Sequence, residues 1–454
     1  MKVLKCKYRC VLAIMVLLFS NASGVAQMTD PRFDEYMSQT AKLGRFNGYV
    51  MIARDGKPIF SKGYGMANFE DDVPNNAQTK FRLASITKSF TAMAVMILQE
   101  RGTLNLQDPV CKHLAGCPET WKAVTVRHLL DHTSGIPDYA ASPDFMRTIS
   151  LRLTPDALVA SFKNKPLQSA PGEGFAYSNS NYILLGKIIE KTSGEPFADF
   201  LQANIFGPLG MKNSGYDDNR RILKHRAAGY IHEGGKIINA QYMDMSNAYA
   251  AGGLYSTAED LLIWSQALDG EKLVTKKSFA EIFTPGKGEV GYGWFINREA
   301  NRRIILQGGL NSGFASAVVR YPDERVSIIL LNNLENAALF LTRIRRDLAA
   351  IVFNEKYELP SEAIEVRVDA KNLDAFVGEY DFGPGRAISV TKEGDKLFMQ
   401  RGGAPKSEMF AESDTKFFLK IADVKFVFVK DSKGKITEMV LHANGQEFRG
   451  SKVK

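Results

Sequence analysis

The stretch Leu83-Ala84-Ser85-Ile86-Thr87-Lys88-Ser89-Phe90 sets a serine and a lysine three residues apart at the head of an apolar segment ending at Leu98. Within that segment Phe90, Met93, Ala94, Ile97 and Leu98 recur at helical spacing, and Gly102 follows as a stop signal. Residues i and i+3 share one face of a helix, so Ser85 Oγ and Lys88 Nζ fall within hydrogen-bond reach of each other. Burial disfavours an ammonium ion, and a neutral amine beside a hydroxyl can take its proton and make it a nucleophile. The first turn of such a helix also leaves N–H groups free to face developing negative charge.

The pattern recurs at Ser389/Lys392, Ser413/Lys416, Ser432/Lys435 and Ser451/Lys454. Those four lie in charged strand-and-turn sequence and read as solvated surface. Ser85 is set apart because it alone opens a long apolar helix.

A chain of 454 residues, 45% of them hydrophobic, can bury a large core and divide into more than one domain. Its N-terminus reads as an export signal: Lys2, Lys5, Lys7 and Arg9 precede the apolar run Val11 to Phe19, and cleavage is expected after Ala26. That run is well short of the ~20 residues a membrane span needs, and no other stretch is long enough. Loss of the four basic residues takes the formal charge from +8 to +4. No basic block interleaved with aromatics stands out, so nucleic acid is not an expected partner. Cys6 and Cys10 leave with the signal. In an exported protein the remaining pair, Cys111 and Cys117, is expected to close a small disulfide loop with no catalytic role.

Residues 27–45 read as a helical lead-in. Gly48–Ala53 and Pro58–Ser61 read as a β-hairpin about the turn Arg54-Asp55-Gly56-Lys57. His128 and His132 stand at i, i+4, a spacing that can bind zinc, but Leu129 occupies the place where a metalloprotease needs glutamate. Both histidines are therefore read as structural, and no metal is expected. Tyr177-x-Asn179 precedes an apolar helix from Ile183 to Ile189. A phenol near a cation gives up its proton more readily, and an asparagine there can hold a substrate amide or the lysine. Ser256-Thr257-Ala258-Glu259 reads as a capping box for a helix ending near Leu268. Strands are expected at Arg303–Leu306, Phe314–Arg320 and Val326–Leu331. The glycine-rich Gln307–Gly313 joins the first two and can bring backbone N–H groups close to a ligand. A helix covers about Leu339 to Glu355, and Leu359-Pro360-Ser361 looks like a linker. Beyond Val368, the runs Ala387–Val390, Lys396–Met399, Lys416–Lys420, Lys425–Val429 and Thr437–His442 read as an antiparallel meander or partial barrel.

These pieces, in this order, resemble the serine β-lactamase and penicillin-binding-protein superfamily, and most closely its class C-like branch. The first motif, Ser-x-x-Lys, is matched by Ser85 and Lys88, and the second, Tyr-x-Asn, by Tyr177 and Asn179. The stretch Leu129 to Pro137, with its His-Thr-Ser-Gly-Ile, is a familiar companion between them. The third motif departs: where the family has Lys-Thr-Gly or His-x-Gly, this chain has Gln307-Gly308-Gly309. Glutamine brings hydrogen bonds but no charge, so recognition of a free carboxylate is weakened.

The resemblance implies an α/β fold with a central antiparallel sheet flanked by helices and an all-helical lobe, over residues 27–357. A linker at 358–367 and a C-terminal lipocalin-like β-domain at 368–454 complete the expected organisation. It further implies an acyl-enzyme serine hydrolase acting on an amide, peptide, ester or β-lactam, of the β-lactamase, D-alanyl-D-alanine carboxypeptidase, D-aminopeptidase or esterase type. Ser85, Lys88 and Tyr177 are the expected catalytic residues, and Asn179, Gln307, Gly309 and Leu310 bind substrate. The oxyanion is expected on the N–H groups of Ser85 and Leu310. No cofactor is needed, and the protein is expected in the periplasm or outside the cell. The alternative is a hydrolytically idle binding protein for cell-wall peptides, which Gln307 keeps open. The sequence leaves the oligomeric state open.

Overall fold

The computed structural model describes residues 30–453 apart from 234, 363, 384, 405, 444 and 445; the expected signal segment, with Cys6 and Cys10, lies outside the described residues. A six-stranded antiparallel sheet forms the centre of the larger unit. Its strands are β1 Gly48–Arg54, β2 Lys57–Tyr64, β3 Phe295–Glu299, β4 Arg302–Asn311, β5 Phe314–Tyr321 and β6 Val326–Asn332, in the order β3-β4-β5-β6-β1-β2. The first hairpin thus docks on the last strand of the sheet, with Gly48 opposite Asn332 and Arg54 opposite Val326.

Both faces of this sheet are covered, which is why β1, β5 and β6 are buried on both faces rather than alternating between core and solvent. Val50, Ile52, Ile328 and Leu330 pack on one side with α1 (Pro31–Lys42) and the late helix Ala338–Val352. Tyr49, Met51, Ile329 and Leu331 face the other side, where the helix Ala258–Ala267 packs on β1 and β6, and they join a core that extends to α2 (Thr87–Glu100) and α3 (Asn179–Ser193). Twelve consecutive residues of α2, Thr87 to Leu98, are buried, so it is the central helix of the lobe rather than an amphipathic surface helix.

Two local expectations shift. The helix Ala258–Ala267 is capped by Thr257, whose hydroxyl accepts from Asp260 N, one residue later than the Ser256–Glu259 box. Ser256 is instead buried and bonded to Ser214 Oγ. The glycine-rich Gln307–Gly313 is mostly strand: β4 runs through Asn311, and only Ser312-Gly313 turns the chain. Glycine at 308 and 309 permits a close backbone approach without ending the strand.

Residues 378–452 form the small antiparallel β-domain expected there, closed into an eight-stranded barrel. Its strands include Gly378–Asp381, Ser407–Ala411 and Gln446–Lys452 in addition to the five expected runs. Phe376, Tyr380, Phe417, Phe426 and Phe428 fill its interior. Arg343 Nη1 bonds Asp423 Oδ1 at 2.9 Å, joining the late helix of the larger unit to the barrel. Among the described residues, no helix is long and apolar enough to cross a membrane.

Candidate active site

Ser85 sits in a short 3₁₀ turn, Ala84–Ile86, directly ahead of α2. Ala84 adopts φ +47°, a left-handed conformation that costs a non-glycine residue roughly 1 kcal/mol. The turn is held from both flanks, since Leu83 N donates to Leu254 O at 2.8 Å and Leu254 N to Thr87 Oγ1 at 3.1 Å. Strand β4 passes so close that a Cβ on Gly309 would lie 2.1 Å from Leu83 O. Gly309 is therefore what allows β4 to lie against the turn.

Lys88 is one helical turn further on and 0% exposed. Its Nζ donates to Ser85 Oγ at 2.9 Å, Asn179 Oδ1 at 2.8 Å and Ala251 O at 2.9 Å. Asn179 Oδ1 and Ala251 O can only accept, so they fix two lysine protons. The third direction, toward Ser85, can hold either a proton or a lone pair. Tyr177 OH donates to the same Ser85 Oγ at 3.0 Å. The serine hydroxyl thus lies between an amine and a phenol, each at hydrogen-bond distance, an arrangement able to take its proton and return one.

Residues that the sequence reading did not single out hold this pair in place. Asp138 Oδ2 accepts from Asn179 Nδ2 at 3.0 Å and Oδ1 from Asn179 N at 3.1 Å. With its amine end tied to a carboxylate, Asn179 must present its oxygen to Lys88. The available sequence signal is an Asp after Pro137 at the start of a helical turn, and Asp138 does cap that turn.

His132 stacks on Tyr177 with ring centroids 4.5 Å apart and accepts from Ser178 N at Nδ1. Burial, reinforced by the nearby Lys88, pushes His132 down to about 3, so the ring is neutral. The His128/His132 pair does not share a helical face: the helix Val126–Leu130 ends first, and His132 has φ +57°. His128 instead closes a capping box with Thr125.

A cavity of about 380 Å³ opens over Ser85, with Asn179 and Leu310 also in its wall. Leu310 is 55% exposed, at the end of β4. Gln307 is not part of this wall. It is 2% exposed, and its Nε2 donates to the main-chain carbonyl of Ser85 at 2.9 Å. Elsewhere, Cys111 and Cys117 are joined as a disulfide.

Residues 31–351 match the family model described as Beta-lactamase. The chain belongs to the Beta-lactamase family. Residues 362–452 match a domain of unknown function (DUF3471), which coincides with the barrel. Penicillin-binding protein 4* of Bacillus subtilis is 31% identical over 438 residues, covering 90% of this chain and 96% of the relative. A penicillin binding protein from Bacillus halodurans superposes with a TM-score of 0.62 at 27% identity, over 70% of this chain and 98% of that one. A D-stereospecific amidohydrolase from Streptomyces sp. superposes with a TM-score of 0.60 at 26% identity, over 67% of this chain and 95% of that one. This Beta-lactamase family chain therefore shares its fold with penicillin-binding proteins and with an amide-cleaving enzyme.

Proposed function

We propose that the protein is an exported serine hydrolase that works through an acyl-enzyme at Ser85. The observation that carries this reading is the double hold on Ser85 Oγ by Lys88 Nζ and Tyr177 OH at the foot of the cavity. Ser85 Oγ attacks the substrate carbonyl, and its proton passes to Lys88 or Tyr177. The same pair returns a proton to the leaving amine or alcohol as the acyl C–N or C–O bond breaks. The backbone N–H groups of Ser85 and Leu310 hold the oxyanion, and Asn179 orients the lysine and the substrate amide. Water, deprotonated by the same pair, then releases the acid and restores Ser85.

The substrate is an amide, peptide or ester. A penicillin-binding protein and a D-stereospecific amidohydrolase among the relatives support that range. Export is supported by the basic and apolar N-terminal segment and by the Cys111–Cys117 disulfide, which suits an oxidising compartment.

The test is intact-mass spectrometry of the mature protein with a fluorophosphonate and with a labelled penicillin, alongside p-nitrophenyl ester turnover. A fluorophosphonate adduct on Ser85, and loss of both adduct and turnover in Ser85→Ala, is the expected result. An unlabelled serine with no ester turnover would overturn the reading in favour of an idle cell-wall-peptide binder. The penicillin arm reports whether the cavity also accepts a β-lactam.

A further inference from the structure

The cavity over Ser85 has two unlike ends. One is apolar, built from Tyr139, Phe145, Met146, Ile149 and Met243. The other, at the β4–β5 turn, holds Asn311, Ser312 and Glu335. Among the described residues lining the cavity, Glu335 carries the one formal charge, and no lysine or arginine lines it. Lys88 is wholly buried, with its Nζ held by Ser85, Asn179 and Ala251, and it does not line the cavity.

Glu335 is fixed rather than swinging in solvent. It opens the 3₁₀ turn Glu335–Ala337, and its Oε2 accepts from Gly313 N at 2.8 Å, tying it to the β4–β5 turn. The next residue, Asn336, accepts at Oδ1 from His232 N at 2.6 Å, so the hairpin Tyr230–Asn239 pins the same turn from the other side. Glu335 Oε1 has no protein partner among the described residues. Beside it, neither Oδ1 nor Nδ2 of the Asn311 amide has a hydrogen-bond partner among the described residues.

We infer that Glu335 sets the charge preference of the site, selecting acyl donors that carry a free ammonium group and rejecting those that carry a carboxylate. This rests on the serine-hydrolase reading. The ammonium bonds Glu335 Oε1. A substrate carboxylate brought to this end meets a fixed like charge with no cation in the wall to offset it. Gln307, uncharged and turned onto the Ser85 carbonyl, supplies no compensating cation either.

The experiment compares kcat/KM for alanine p-nitroanilide, in both enantiomers, with its N-acetyl and N-succinyl derivatives. Fluorophosphonate labelling of Ser85 is followed in every variant. Wild-type protein should prefer the free amine to N-acetyl, and N-acetyl to N-succinyl. Glu335→Gln keeps an acceptor for Gly313 N but removes the charge, and should lower the amine-to-acetyl ratio about tenfold. Glu335→Asp should keep the sign of the preference, and Glu335→Lys should turn it toward N-succinyl, a gain that misfolding cannot mimic. A wild-type preference for N-succinyl, or an amine-to-acetyl ratio unchanged in Glu335→Gln, overturns the inference while labelled Ser85 leaves the hydrolase reading standing. Absence of both labelling and turnover in the wild type overturns both.

Discussion

Gln307 Nε2 donates to the main-chain carbonyl of Ser85 at 2.9 Å, although 222 residues separate the two in the chain. The contact ties strand β4 to the turn that carries the serine. It also gives a use to a side chain that breaks the third motif of the family: the glutamine steadies the serine backbone instead of lining the cavity.

Replacing Gln307 by leucine keeps most of the volume and removes the side-chain donor, leaving the Ser85 carbonyl with the Thr87 N–H alone, while it also removes the buried, unpartnered Gln307 Oε1. The expected net cost is about 1 kcal/mol of stability, read as a lower urea midpoint at unchanged m-value. Ester turnover should fall with it, because the Ser85 N–H shares the turn that Gln307 holds. A Gln307→Leu protein as stable and as active as wild type would show that this bond is incidental.

Asp138 acts on Lys88 only through Asn179. Asp138→Ala frees the Asn179 amide to rotate and offer its Nδ2 to the lysine, which has no acceptor for it when charged. We expect kcat to fall on the order of tenfold or more with KM changed less. Asp138→Asn retains one acceptor and should recover part of the loss. Steady-state ester kinetics of the two variants check this, and equal kinetics for wild type and Asp138→Ala would discard the positioning role.

What was legible in advance follows the range over which each interaction acts. Ser85 and Lys88 are three residues apart, so helical geometry alone brings them together. The first hairpin and the burial of Phe90 to Leu98 are likewise local consequences of pattern. Asp138 and Asn179 are 41 residues apart, and neither periodicity nor turn chemistry reports such a pair. The capping box slipped by one residue because Ser256 and Thr257 are both good caps, and the choice fell to Ser214, which claims Ser256. In the barrel, Gln446–Lys452 shows little apolar alternation, with four of its first five residues exposed or barely covered. It is a strand because it completes the closure between Ile436–Ala443 and Gly378–Asp381.

His132 predicts an acid sensitivity with a definite sign. Its ring is held neutral at about 3 in the folded protein, against 6.5 for an ordinary histidine. The unfolded chain therefore binds a proton that the folded one refuses anywhere between those values. The stabilisation is complete above pH 6.5 and is lost progressively as the pH falls toward 3. Between pH 7 and pH 5 this one group should withdraw about 2 kcal/mol. Urea unfolding at the two pH values checks it: His132→Asn should be less stable at pH 7 yet lose less than wild type on acidification. An equal loss in both proteins would place the acid sensitivity elsewhere.

Gly308 and Gly309 are neighbours on one strand and should respond in opposite ways to the same methyl group. At Gly308 the first atom a Cβ meets is Ser316 O at 3.7 Å, an ordinary contact. At Gly309 it meets Leu83 O at 2.1 Å, and Leu83 is held by Leu254 on its far side. Backbone cannot swing away as a flexible side chain can, so Gly309→Ala must push β4 from the turn that carries Ser85. We expect Gly308→Ala to retain its fluorophosphonate labelling rate and its stability to within about 0.5 kcal/mol. Gly309→Ala should lose at least about 1–3 kcal/mol and label more slowly even under conditions where it is fully folded. The slow labelling is the discriminating result, because it ties the glycine to the serine turn and not merely to the packing of the sheet. Equal labelling rates for the two variants would mean that β4 can move without disturbing Ser85.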